Sequence, residues 1–273
     1  MRTSAEYIEI DGRFGFVEQA GEGEHVIFCV HTAGQHGFQW RAARDRLAQL
    51  GYRVVVVDLP GHGRSDPAEH GPVSDLGWYA DWCLTVIDRI SLDRPYLLGC
   101  SIGGKIVLDM AVKASARLSG VVSMAAYGQR GGRGRSARPW GLEDASSPSN
   151  RDRSYYGYSA LTGRSVPAEQ TELLALMHCR EDWHVTVSDQ SGWSRHDIWD
   201  ELGTIACPVR LVVGEDDFGV PATRVEQTAA RIPGARWEVV PGIGHFPMQE
   251  MPDFGDHAHA WFQAMCPAVL ADR

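Results

Sequence analysis

The sequence predicts an α/β fold, a mostly parallel central sheet with helices on both faces, and three observations point there. Apolar runs of strand length alternate with segments of helical period. The runs at His25 to His31 and Arg53 to Leu59 are apolar almost throughout, as strands covered on both faces must be. The alternation occurs in two blocks, separated by residues 127–205, where it fails. At 273 residues, 44% hydrophobic and 22% charged, the chain has the composition of an ordinary globule. Its length allows roughly 70 to 75% of the unfolded surface to be buried without disulfides or metals. The expected organisation is a core made of residues 1–126 and 206–273, with residues 127–205 inserted as a cap before the penultimate strand.

Taken in order, Tyr7 to Ile10 and Gly15 to Gln19 alternate apolar and polar residues and predict a hairpin. The buried-type strands His25 to His31 and Arg53 to Leu59 follow. Between them, Trp40, Ala43, Leu47 and Leu50 at helical spacing, with Gly51 as the stop, predict a helix over 40–50. A helix from about Asp75 to Ile90, a strand at Pro95 to Cys100, a helix from Ile102 to about Val112 and a strand at Gly120 to Ala126 close the first block. Within 127–205, helical period returns only near Glu169 to Met177. The second block predicts a strand at Val209 to Val213, a helix at Ala222 to Ile232, a strand at Arg236 to Val240 and a helix at Phe254 to Met265.

Charge and cysteine usage exclude several function classes. The 26 Lys+Arg against 35 Asp+Glu leave a formal net charge of -9, the wrong sign for a protein that tracks phosphate backbones, so nucleic acid is not an expected partner. Six scattered cysteines, most of them inside apolar runs and none in a CxxC pair, read as buried free thiols. The first residues lack the charged start and apolar run of a secretion signal, and no apolar run reaches membrane-spanning length, so a cytoplasmic location with no membrane contact is expected. Oligomeric state is not readable.

Gly99-Cys100-Ser101-Ile102-Gly103 matches G-x-S-x-G, a string that composition alone would produce roughly 0.2 times in such a chain. The context makes it specific. It joins a buried strand to a helix, the setting in which a serine is held in a strained turn at the sheet edge while strand and helix pass so closely that side chains at 99 and 103 would collide. A serine hydroxyl needs a base and an orienting acid, and in this arrangement they follow in the order Ser, acid, His. The loop after the Val209 to Val213 strand offers Glu215, Asp216 and Asp217; the loop after Arg236 to Val240 offers Gly242-Ile243-Gly244-His245. The strand at 121–129 offers no acid, which closes the other position used by some hydrolases of this plan.

On these segments, with Asp58-Leu59-Pro60-Gly61-His62-Gly63-Arg64-Ser65, the chain resembles α/β-hydrolase-fold serine hydrolases over residues 20–130 and 207–265. The resemblance implies a triad of Ser101, Asp217 and His245, placing the acid four residues before Pro221. It implies an oxyanion hole from the Ile102 and Ala33 amides, no metal and no cofactor, and a small ester or lactone as substrate. Where many relatives carry glycine after the loop histidine this chain has Thr32, so Thr32 is expected to touch substrate. A His-Thr pair also resembles plant hydroxynitrile lyases, but those carry lysine after the catalytic histidine, and here Phe246 follows. Carbon-carbon hydrolases of the meta-cleavage type share the triad and remain a competing reading. So do an acyltransferase or cyclase using another acceptor than water, and a non-hydrolytic ligand receptor on the same fold.

The segment 127–205 supplies Trp140, Trp183, Trp193 and Trp199 with Tyr155, Tyr156 and Tyr158, flat apolar surface suited to an aromatic or bulky small-molecule substrate or to a small core of its own. Trp140, Trp183 and Phe246 are the expected substrate-contacting rings. Arg130, Arg133, Arg135 and Arg138, interleaved with glycines, predict an open basic loop. His257 and His259 are two apart on a helix and do not face one way, so no metal is expected there.

Overall fold

In the computed structural model, residues 2–131, 149–180 and 182–265 are described. The chain opens with a hairpin, β1 (Thr3–Ile10) and β2 (Arg13–Ala20), turned by Asp11 and Gly12, both at positive φ as a tight two-residue hairpin turn requires. It then alternates: β3 (Val26–Val30), α1 (Arg41–Gln49), β4 (Arg53–Val57), α2 (Leu76–Arg89), β5 (Tyr96–Cys100), α3 (Ile102–Ala114) and β6 (Gly120–Met124). After the inserted segment come β7 (Val209–Gly214), α7 (Ala222–Arg231), β8 (Arg236–Val240), the one-turn α8 (Pro247–Glu250) and α9 (Phe254–Met265).

The eight strands form one sheet in the order β1-β2-β4-β3-β5-β6-β7-β8. The hairpin is antiparallel and β2 runs antiparallel to β4; every pair from β4 to β8 is parallel. The central strands β3, β5 and β6 are buried at every residue, which is why their sequences carry no polar face. Parallel strands need crossovers; α1, α2, α3 and α7 provide four and the stretch between β6 and β7 the fifth, with α1 packed on α9 and α2 on α3. No described helix is long and apolar enough to cross a membrane.

The expected elements appear within a few residues of their predicted ends, with one correction. Between β6 and β7 the described residues include three α-helices, α4 (Asn150–Ala160), α5 (Ala168–His178) and α6 (Trp183–Arg195), where sequence period gave only a core near 169–177. Two of them start on a side-chain cap: Ser149 Oγ accepts from the Asp152 N–H before α4, and Asp182 from the His184 and Val185 amides before α6. Of the basic loop, Arg130 is described, an exposed side chain whose guanidinium pairs with Asp197 at 3.0 Å; Arg133, Arg135, Arg138 and Trp140 lie outside the described residues. The two terminal-helix histidines point to different partners, His257 to Asp253 and His259 to the Tyr52 hydroxyl.

Candidate active site

Ser101 is the single residue between β5 and α3. Its φ of 58° and ψ of -122° lie where a residue with a Cβ is strained, and the turn is held from both sides. The Ser101 N–H donates to the Met124 carbonyl at 2.9 Å and its carbonyl accepts from the Lys105 N–H at 3.1 Å. The crossing of strand and helix explains the glycines. A Cβ on Gly99 would sit 2.2 Å from the Gly103 carbonyl oxygen, and one on Gly103 would sit 2.3 Å from that of Val30, backbone contacts that cannot yield. Cys100, beside the serine, is a fully buried free thiol bonded to the His245 carbonyl, and burial pushes its pKa well above the ordinary value, so it has no thiolate to offer.

The three acids after β7 divide into an outer pair and an inner one. Glu215 and Asp216 both pair with Arg164, and Glu215 also accepts from the Gly242 N–H at 3.0 Å. Asp217 turns inward: Oδ1 accepts from the Gly219 and Val220 amides, and Oδ2 lies 2.7 Å from His245 Nδ1. Burial works to lower the His245 pKa, but the charge and hydrogen bond of Asp217, with the charge of Glu250, outweigh it and raise the pKa above its ordinary value. Among the described residues the His245 ring is hydrogen-bonded to Asp217 and makes no bond to the Ser101 hydroxyl, with which it shares a cavity.

That cavity, of about 530 Å³, opens between the carboxyl edge of the sheet and the inserted helices. Of the expected site residues, Ser101, Ile102, Ala33, Thr32, His245, Phe246 and Trp183 all wall it. Ile102 is the first residue of α3, where an amide has no acceptor within its own helix. The amides flanking Ala33 are taken: Thr32 N–H donates to Gln39 Oε1 at 3.0 Å and Gly34 N–H to Asp189 Oδ2 at 2.9 Å. Thr32 Oγ1 accepts from Gln39 Nε2 at 3.0 Å, so both ends of the Gln39 amide hold this residue. The aromatic supply divides. Trp183, Trp193 and Tyr158 reach the cavity, whereas Trp199 packs under Arg231 and Tyr156 is largely exposed. The Asp58 to Ser65 turn is structural: buried Asp58 accepts from the Gly37 and Arg64 amides, and the Ser65 hydroxyl bridges the Asp58 carbonyl to the Phe16 N–H.

Three buried groups near this cavity carry no local sequence signal. Glu250 accepts from the Gly163, Gly244 and Phe246 amides, gripping His245 from both chain neighbours. Asp189 on α6 reaches the loop after β3, and Lys105 on α3 reaches both ends of the inserted segment. Each depends on residues far away in the chain, which no short-range spacing encodes.

The model of the alpha/beta hydrolase family matches residues 27–254 of the chain. The chain belongs to that family. Among curated relatives, this α/β hydrolase is 25% identical over 252 residues to the pimeloyl-[acyl-carrier protein] methyl ester esterase of Nitrosomonas europaea, covering 87% of this chain and 94% of the relative. It is 27% identical over 262 residues to a 2-hydroxy-6-oxononadienedioate/2-hydroxy-6-oxononatrienedioate hydrolase of a Pseudomonas species, covering 90% and 89%. Among solved structures, a thermophilic esterase from Thermogutta terrifontis superimposes with a TM-score of 0.83 at 22% identity over 96% of this chain and 99% of that one, a likeness of fold. Est816, an N-acyl homoserine lactone degrading enzyme, superimposes at 0.76 with 26% identity over 94% and 100%.

Proposed function

We propose that this α/β hydrolase cleaves a small carboxylic ester or lactone through an acyl-enzyme on Ser101. The observation that carries the reading is a strained serine turn opening into the same cavity as an imidazole already bonded to a buried carboxyl. With Nδ1–H donated to Asp217, His245 keeps its Nε2 lone pair for the Ser101 proton. Ser101 Oγ bonds to the acyl carbon as that proton passes to Nε2, and the carbonyl electron pair moves onto oxygen, facing the Ile102 and Ala33 amides. Collapse expels the leaving alkoxide, which takes the proton from His245; water then repeats the sequence and frees the acid.

Residues 127–205 form the cap in this reading. Trp183, Trp193, Tyr158 and Phe246 suit an aromatic or bulky apolar group, and Thr32 sits beside the reacting centre. Trp140, expected in the same role, lies outside the described residues. The buried free thiols Cys29, Cys83, Cys100 and Cys207 support a reducing, cytoplasmic setting. A meta-cleavage reading is favoured by one observation, the similarity to the 2-hydroxy-6-oxononadienedioate hydrolase along nearly the whole chain.

Replacing Ser101 by Ala is expected to lower turnover of p-nitrophenyl acetate by about 10⁴-fold or more, with a fluorophosphonate probe labelling the unaltered protein only. Turnover by the variant equal to that of the parent would end the serine-nucleophile reading. A panel of esters, lactones and a 2-hydroxy-6-oxo-dienoate, each followed by product analysis, separates ester from carbon-carbon cleavage.

A further inference from the structure

His62 and Asp189 form a pair whose side chains are both wholly removed from solvent. Asp189 belongs to α6, three residues after Thr186 and beside Gln190, both of which wall the cavity. Its Oδ2 accepts from the Gly34 N–H at 2.9 Å and lies 2.8 Å from His62 Nε2; its Oδ1 lies 3.5 Å from the Tyr79 hydroxyl. The other ring nitrogen, His62 Nδ1, faces the Pro60 carbonyl at 3.1 Å. Both ring nitrogens therefore meet hydrogen-bond partners, and the ring is fixed from two sides against the Asp189 carboxyl. A buried polar group with its partners supplied on every side holds its geometry tightly.

What this pair holds is the peptide next to Ala33. Gly34 sits at a φ of 61°, and a Cβ there would lie 2.2 Å from Thr186 Oγ1, so α6 is pressed directly on the turn. On the other side Gln39 fixes Thr32, and the Gln35 N–H closes back on the Thr32 carbonyl at 3.2 Å. The Ala33 amide is thus aimed by two flanking peptides, one anchored to the core and the other to the inserted segment through Asp189.

We propose that Asp189, itself held by His62, is a positioning residue for the Ala33 oxyanion donor, and that it couples the seating of α6 to the rate of the chemical step. The proposal rests on Ser101 being the nucleophile and the Ala33 N–H being a donor. Removing such a donor outright costs about 10²- to 10³-fold in rate, so loosening its aim should cost part of that.

The test compares Asp189→Ala with Asp189→Asn, which keeps an oxygen for the Gly34 N–H. Three quantities are read: kcat and KM on p-nitrophenyl acetate, affinity for an aryl trifluoromethyl ketone, and affinity for the matching methyl ketone. Ser101 Oγ adds to the carbon of the trifluoromethyl ketone, its proton passing to His245, so that ligand places an oxyanion on the Ala33 amide; the methyl ketone fills the cavity without one. Asp189→Ala is expected to lower kcat by about 10- to 100-fold with KM within about threefold. Its trifluoromethyl ketone affinity should fall in step with kcat/KM while methyl ketone affinity holds, and Asp189→Asn should recover most of the loss. If Asp189→Ala does not fold, the ratio of the two ketone affinities is read in His62→Gln, where a fall of about 3- to 10-fold is expected because Asp189 loses the ring that holds it. An unchanged ratio in a folded variant, or equal losses for both ketones, overturns the proposal. Full activity in Ser101→Ala would instead remove the nucleophile reading on which it stands.

Discussion

At the residue scale, the site divides into what short-range chemistry dictates and what it does not. Gly99, Ser101 and Gly103 could be read from sequence because the clash they avoid is between atoms a few residues apart or on the adjoining strand. Asp217 and His245 could be placed because each follows a strand end at the same sheet edge. Glu250 could not, since its partners include Gly163, 87 positions away. Its consequences are specific. Burial raises the Glu250 pKa against the lowering effect of its three backbone N–H bonds, and its charge helps to raise that of His245. In the proposed mechanism His245 is the base and must be neutral to act, so the acid limb of kcat/KM is expected at the raised pKa. In Glu250→Gln the supporting charge is gone, the His245 pKa falls, and the acid limb should move to lower pH. One backbone amide then loses its acceptor, which should cost about 1 to 3 kcal/mol in urea unfolding. A pH profile that superimposes on the parent's would remove Glu250 from the electrostatics of the base.

At the element scale, the strands and crossover helices of the core follow directly from hydrophobic period, because each has one environment along its length. Helices α4 and α6 do not. Tyr158 and Trp193 face the cavity, Asp189 and Thr186 face the loop after β3, and Tyr156 faces solvent, so neither helix presents one apolar stripe for a periodic reading to find. Their caps were the available signal: Ser149 with Asp152 three residues on, and Asp182 just before the first turn of α6. Asp182 Oδ1 accepts from the His184 N–H at 2.7 Å and the Val185 N–H at 3.4 Å. Asp182→Ala should therefore cost about 1 kcal/mol of stability. Because α6 carries Asp189, the variant should also lower kcat, by a smaller factor than Asp189→Ala. Loss of stability with kcat unchanged would show that the first turn of α6 frays without disturbing the Gly34 contact.

At the scale of the whole molecule, carrying α4, α5 and α6 between β6 and β7 creates a problem at the points where the chain leaves the sheet and returns to it, and Lys105 answers it. It extends from the first turn of α3, wholly buried, to the Gln129 carbonyl at 2.5 Å, shortly after β6, and the His196 carbonyl at 3.1 Å, just after α6. The rings of Tyr127 and Trp193 lie 4.8 and 4.9 Å from its Nζ. Burial is the largest influence on its pKa, lowering it from 10.5 to about 7; the charge of Asp197 works the other way and that of Arg224 lowers it further. A neutral amine still has two N–H donors for the two carbonyls. Between about pH 7 and the unfolded value the unfolded chain holds a proton that the folded chain has released. Stability from this group therefore rises with pH, by up to about 1.4 kcal/mol per pH unit, and is lost as pH falls toward 7. Lys105→Met removes both the titration and the two hydrogen bonds. The stability advantage of the parent over Lys105→Met, measured by urea unfolding, should be smallest near pH 6.5 and widen steadily to pH 9. A difference that stays constant across that range would mean that the ammonium keeps its proton in the fold, and that the cation, held by two carbonyls and two rings, is itself what ties the inserted helices to the core.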